Sequence, residues 1–205
     1  MDMTGHGSSA PVGEHQHVSP ARLIGTLSGF GAIAGLLIVV AFQWAHPRIT
    51  AYQARVLHDA VKEVLGNPAT TDSVMLAGGE RVFAGHDANR KLIGYAIVGA
   101  EPGFQDVITL IFGYDPAQKR VIGMKVLDNK ETPGLGDKIV KDTMFARGFQ
   151  NKVSPLLGVK RGAGKGAENE VDMITGATIS SRAVIGIINR KLAKVEPLLP
   201  KEPQP

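Results

Sequence analysis

Two stretches of this 205-residue chain set hydroxyls, acidic groups and glycines side by side at the start of a predicted helix. The first is Asp172-Met173-Ile174-Thr175-Gly176-Ala177-Thr178-Ile179-Ser180-Ser181, which ends a turn and opens the last amphipathic segment. Unpaired backbone N–H groups and the positive dipole end at such a start favour a phosphate, and Thr175 and Thr178 bring hydroxyls to it. Either threonine can instead be the helix N-cap, and capping alone accounts for both. The second stretch is Asn129-Lys130-Glu131-Thr132-Pro133-Gly134-Leu135-Gly136-Asp137-Lys138, between a predicted strand ending near Leu127 and a predicted helix. Pro133-Gly134 forces a turn, and Gly134 and Gly136 let a flat ligand approach the backbone. Glu131 and Thr132 supply polar groups at the mouth. An ordinary strand-to-helix connection capped by Asp137 explains the same residues.

Other candidates fall away. Arg161-Gly162-Ala163-Gly164-Lys165-Gly166 has the look of a phosphate cradle, yet Gly166 follows Lys165 where a P-loop needs Ser or Thr. Val159 also stands where its first glycine belongs. With no cysteine there are no disulfides, thiolate metal sites or iron–sulfur ligands, so redox chemistry must come from a bound cofactor. His6, His15 and His17 lie in a Gly/Ser/Pro-rich tail with no fixed backbone to set metal geometry, so no metal site is expected. A net charge of +4 and a pI near 9.4 invite an anionic partner. The basic residues do not cluster and aromatics make up only 5%, which argues against nucleic acid.

The elements that position these stretches follow from periodicity. Residues 1–21 read as a disordered tail and 22–45 as a transmembrane anchor. Leu23 to Trp44 carries no charged residue and is about 33 Å long as a helix, enough for a hydrocarbon core of about 30 Å. Arg22 and Trp44 flank it as interfacial anchors. The run is too long for a signal-peptide core, and Phe42-Gln43-Trp44 is a poor cleavage site. Gly25/Gly29 and Gly31/Gly35 have GxxxG spacing, which suits a second membrane helix but is also ordinary in such helices. Arg48, Arg55 and Lys62 beyond the span outnumber Arg22, a slight lean toward a cytoplasmic main domain.

A helix capped by Thr50 is predicted to Leu65 and stopped by Gly66-Asn67-Pro68. Strands are predicted at 91–99, 106–114 and 120–127, the last two joined by a turn at Asp115-Pro116-Ala117-Gln118. A helix over 136–149 would bury Ile139, Val140, Met144 and Phe145. The final helix, 179–195, would bury Val184, Ile187, Ile188, Leu192 and Val195. This order describes an α+β domain over 46–196, followed by a C-terminal tail at 197–205.

The run Glu131-Thr132-Pro133-Gly134-Leu135-Gly136-Asp137-Lys138-Ile139, followed by Asp172-Met173-Ile174-Thr175-Gly176-Ala177-Thr178 behind one N-terminal anchor, resembles the FMN-binding domain of the G subunit of the Rnf/Rsx electron-transport complex. The C subunit of the sodium-translocating NADH:quinone reductase shares these features. The resemblance covers about residues 22–195. It implies an FMN-binding domain with a central antiparallel sheet and flanking helices. It also implies FMN joined through its phosphate to Thr178 by a flavin transferase, with Thr175, Gly176 and Ala177 completing the signal and Asp172 at the acidic position before it. The loop containing Glu131, Thr132, Gly134, Leu135 and Gly136 is implied to line the flavin.

The implied setting is the bacterial inner membrane, with the domain on the periplasmic or extracytoplasmic side against the slight charge lean. There it would relay electrons among subunits of a complex coupling ferredoxin/NAD chemistry to Na+ or H+ translocation. The alternatives are the quinone-reductase subunit, a stand-alone anchored flavin reductase or sensor, and an anchored binding module without flavin.

Overall fold

The computed structural model describes residues 19–200; the expected histidine-bearing tail (His6, His15, His17) and residues 201–205 lie outside the described residues. The chain divides into two compact units, Met1–Ala51 and Tyr52–Pro205. Helix α1, Pro20–Val64, starts with a proline inside the stretch expected as tail, at a helix position where a missing N–H costs nothing. Within the first unit, its most apolar window has a mean hydropathy of 2.2, and it is the one helix among the described residues long and apolar enough to cross a membrane. The Arg48 guanidinium sits 3.8 Å from the Trp44 ring centroid, a cation–π pair suited to headgroup depth. The separate helix start expected at Thr50 does not occur. Pro47 forfeits its own donor but the helix runs on, and Thr50 Oγ1 donates back to the carbonyls of His46 (3.2 Å) and Pro47 (3.0 Å) instead of capping.

In the second unit, β1 (Thr70–Met75), β2 (Arg81–His86), β3 (Leu92–Pro102), β4 (Val107–Asp115), β5 (Arg120–Asp128) and β6 (Lys152–Val153) form one antiparallel sheet in chain order. A separate parallel pair joins β7 (Leu157–Lys160) to β8 (Glu170–Met173). With helices α2 (Lys138–Lys141), α3 (Thr143–Arg147) and α4 (Thr178–Val195), the unit is the α+β fold expected. The turn between β4 and β5 forms where predicted, with Asp115 Oδ1 accepting from the amides of Ala117 (2.8 Å) and Gln118 (3.2 Å).

A two-residue period sorts the sheet's side chains onto its faces. Tyr95 and Ile97 of β3 pair with Tyr114 and Phe112 of β4, and all four enter the larger core with Val184, Ile187, Ile188, Leu192 and Val195 of α4. The intervening Ala96 and Ile111 join Ala60, Val61, Val64 and Leu65 from the end of α1. Both faces are therefore covered. The approach of α1 depends on Gly113, where a Cβ would overlap the Val64 carbonyl.

Three further expectations are corrected. The helix predicted over 136–149 is two short ones, because Asp142 takes an extended conformation (φ −80, ψ 96) and caps α3, accepting from Met144 N (3.0 Å) and Phe145 N (3.2 Å). That break leaves Ile139 and Phe145 buried, but exposes Val140 (50%) and Met144 (73%). At the other end, residues 197–200 are not a free tail: Leu199 is buried and Tyr95 Oη donates to the Pro200 carbonyl (3.2 Å).

Candidate functional site

Helix α4 begins at Thr178, after an N-cap position held by Ala177 with no side-chain cap. Neither Thr175 nor Thr178 therefore caps the helix. Thr178 is half-buried and Thr175 exposed. The preceding turn is held from below: Ala177 N donates to Ile174 O (3.0 Å), and Ile174 N donates to the buried Ser181 Oγ (3.1 Å). Gly176 has φ +82, a left-handed conformation that glycine adopts without steric cost. No described carbonyl accepts from the amides of Thr178, Ile179 or Ser180, the donors that any helix start leaves open.

The second stretch meets this turn. Leu135 N donates to Thr132 O (3.1 Å) across Pro133-Gly134, and Gly134 at φ +80 gives the type II turn that the proline–glycine pair predicts. Asp137 does not cap α2 with its side chain; its Oδ1 accepts from Gly134 N (2.7 Å) and holds the loop closed. The Lys141 ammonium beside Asp137 and that loop amide keep its carboxyl below the usual range.

Glu131 departs most from expectation. Instead of lining the mouth it points inward and is 5% exposed. Its Oε1 accepts from the amides of Phe104 (2.9 Å) and Gln105 (3.1 Å), and its Oε2 from Ser180 Oγ (2.8 Å). Among the described residues no cation pairs with it, so three donors carry the cost of burial. It ties the 103–105 loop, its own loop and the first turn of α4 into one body. Gly136 is required there, since a Cβ would overlap Glu131 Oε2 and approach Ser180 Oγ to 2.9 Å.

Above this bracket lies a cleft of about 360 Å³ lined by Phe104, Thr132, Leu135, Gly136, Gly176, Ala177, Thr178, Ile179 and Ser180. Both predicted stretches thus converge, with Thr132, Leu135 and Gly136 facing Gly176, Ala177 and Thr178. Gly134 shapes the turn from outside the cleft, Thr175 is not in its lining, and Asp172 lines a separate cleft beside the glycine-rich loop. Sequence reasoning missed Phe104 (64% exposed) and Ile179 (56%), which with Leu135 (55%) form an apolar rim. Their signal was a large apolar side chain in a polar or turn-forming stretch, Pro102-Gly103-Phe104-Gln105 in the first case. Thr132 Oγ1 donates to Gln105 Oε1 (2.5 Å), closing the polar side. Open amides beside the Thr178 hydroxyl fit a phosphate, and the exposed apolar rim fits a planar ring; both parts of FMN are matched.

The FMN-binding domain family matches residues 103–193. The G subunit of the ion-translocating oxidoreductase complex of Shewanella loihica is 30% identical over 193 residues, covering 86% of this chain and 88% of that protein. The chain belongs to the family of these G subunits. The member from Pseudomonas aeruginosa is 31% identical over 185 residues, with 81% and 84% covered, and that from Methanosarcina acetivorans 27% over 177, with 82% and 90%. Among solved structures, the fold of this family member is similar to Shewanella oneidensis NqrC, with a TM-score of 0.50 and 25% identity over 60% of this chain and 63% of that one. The C subunit of the Na+-translocating NADH-quinone reductase from Parabacteroides distasonis shares the fold (TM-score 0.51, 23% identity, 60% and 64% covered).

Proposed function

We propose that this protein is the FMN-bearing subunit of a membrane oxidoreductase complex, with FMN joined through its phosphate to Thr178. The observation that carries the reading is the cleft, in which the two family motifs, far apart in sequence, meet around one half-buried threonine hydroxyl. A phosphodiester keeps one negative charge, and the start of α4 stabilises it by about 0.3–1 kcal/mol in an exposed setting. Bound FMN supplies reversible electron acceptance and release. The chain's own residues hold it: Thr178 is the point of attachment, Gly176 and Ala177 shape the turn, and Thr132, Leu135 and Gly136 wall the cleft. Glu131 supports that wall from beneath. Thr178 serves as an attachment point, not as an acid or base.

Attachment would be the work of a flavin transferase, with the Thr178 hydroxyl accepting the FMN phosphoryl group and giving up its proton. The exposed turn at Thr175 and Gly176 leaves the acceptor open to that enzyme.

The single apolar helix is compatible with a single-pass membrane protein. Following the names of its relatives, the complex is an ion-translocating oxidoreductase; the resemblance extends this to coupling of ferredoxin and NAD chemistry to Na+ or H+ movement, with this chain passing electrons among its partners. The run from Leu23 to Trp44 contains no ionisable residue, so the ion path lies in other subunits. The flavin domain faces the periplasmic or extracytoplasmic side, where a covalent tether prevents loss of a cofactor made inside the cell. The deciding experiment is co-expression of the full chain with a flavin transferase, followed by intact mass. Wild type and Thr175→Ser gain one FMN less one water; Thr178→Ala gains nothing. FMN remaining on Thr178→Ala would falsify the assignment.

A further inference from the structure

We infer that Lys138 is the charge partner of the phosphodiester at Thr178, an inference resting on the flavin reading above. Lys138 opens α2, in the other motif, yet its Nζ reaches the acceptor turn: a Cβ built on Gly176 would lie 3.4 Å from it. Of the other cations on these two segments, Lys141 is committed to Asp137, whereas Arg182, one turn along α4 from Thr178, is exposed and forms no ion pair among the described residues. Lys138 is half-buried and forms no ion pair among the described residues. Asp137, the acidic group whose carboxyl feels Lys138, is held by Lys141 and the Gly134 amide.

The electrostatics without an anion are unfavourable. An ammonium lies against the positive end of an 18-residue helix whose first amides are unused, so like-signed groups converge on one point. Partial burial strengthens that repulsion relative to open water. A phosphodiester on Thr178 reverses it, placing one negative charge between the cation and the amides. Lys138 is thus a positioning residue whose contribution changes sign with the state of Thr178.

That sign change is measurable in the full chain in detergent, produced with a flavin transferase. In the flavinylated protein, Lys138→Gln lowers the unfolding midpoint by about 2–4 °C, the size of one exposed ion pair in a domain of this length. In the unloaded Thr178→Ala background the same substitution leaves the midpoint unchanged or raises it. Lys138→Arg stays close to wild type in both. The phosphodiester 31P resonance moves in Lys138→Gln and returns toward its wild-type position in Lys138→Arg. If Lys138→Gln prevents loading altogether, loading of Lys138→Arg supports the inference and failure of Lys138→Arg overturns it. Equal shifts in both backgrounds, or an unmoved 31P resonance, also overturn it, since they make Lys138 structural or irrelevant. A wild-type chain that takes no FMN would instead defeat the Thr178 reading.

Discussion

Glu131 and Glu170 make the same local contact in two glycine-bearing loops. Glu170 Oε2 accepts from the consecutive amides of Gly166 (3.0 Å) and Ala167 (3.3 Å), just as Glu131 Oε1 accepts from Phe104 and Gln105. Glu170 is half-buried and its partners lie three and four residues away, so it only shapes its own loop. Glu131 is buried, and its second oxygen takes a hydroxyl 49 residues further along the chain. Their glycines differ in part: Gly136 sits against both Glu131 and Ser180, and Gly164 against Glu170, whereas Gly162 and Gly166 face open space. A carboxylate and a few glycines become part of a site when they join distant segments away from water.

The largest test of that contrast removes each carboxylate. Glu131→Ala leaves two amides and a buried hydroxyl without a partner, and is expected to cost about 3 kcal/mol or more in urea unfolding. Glu170→Ala, whose orphaned amides can turn to water, costs under about 1 kcal/mol. Equal losses would erase the distinction.

Gly136→Ala, which drives a methyl into the Glu131–Ser180 contact, costs about 1–3 kcal/mol. Gly162→Ala, with φ +77 but nothing to strike, costs only about 1 kcal/mol. Denaturant midpoints in that order sharpen the comparison, and the reverse order breaks it.

Glu80 separates long range from burial. Its oxygens accept from Lys191 (2.7 Å) and Lys194 (2.8 Å) on α4, over 100 residues away, but within reach of water. Hydrogen bonds from these two ammoniums lower its pKa from 4.5 to about 2. A carboxyl with a depressed folded-state pKa stabilises the fold fully above its unfolded value and loses that contribution as pH falls through the folded one. The difference in stability between wild type and Glu80→Gln is therefore expected to be about 1–2 kcal/mol above pH 5, after discounting for solvent, and to vanish by about pH 2. A pH-independent difference would mean that packing, not charge, holds this contact.

The smallest effect is at Gly176. Gly176→Ala strains a left-handed residue by about 1 kcal/mol in the acceptor turn, so loading by the transferase should slow with little loss of fold. Intact mass during a loading time course reads it.

What the sequence made legible was periodic or local. Val184, Ile187, Ile188, Leu192 and Val195 announced α4 because its packing follows the helical repeat. The apolar runs predicted as strands at 91–99 and 106–114 are β3 and β4, buried on both faces of the sheet. The edge strand β1, with Thr70, Thr71, Asp72 and Ser73, carried no apolar alternation because little of it is buried. A break at Asp142 was hidden because its capping contacts fall inside an apolar pattern that continues past it. The two motifs marked the cleft, but the inward turn of Glu131 depends on partners 26, 27 and 49 residues distant. Phe104 stood out only as an apolar side chain in a turn-forming stretch; its place on the rim depends on the same distant carboxylate.

Thr178 is the first residue of a helix whose inner ridge is fixed in the core. A flavin bonded there, as proposed, would be leashed to a rigid post, its working radius set by its own ribityl chain and not by loop motion. Such a carrier would not be exchanged, and renewing the cofactor would mean synthesising the protein again.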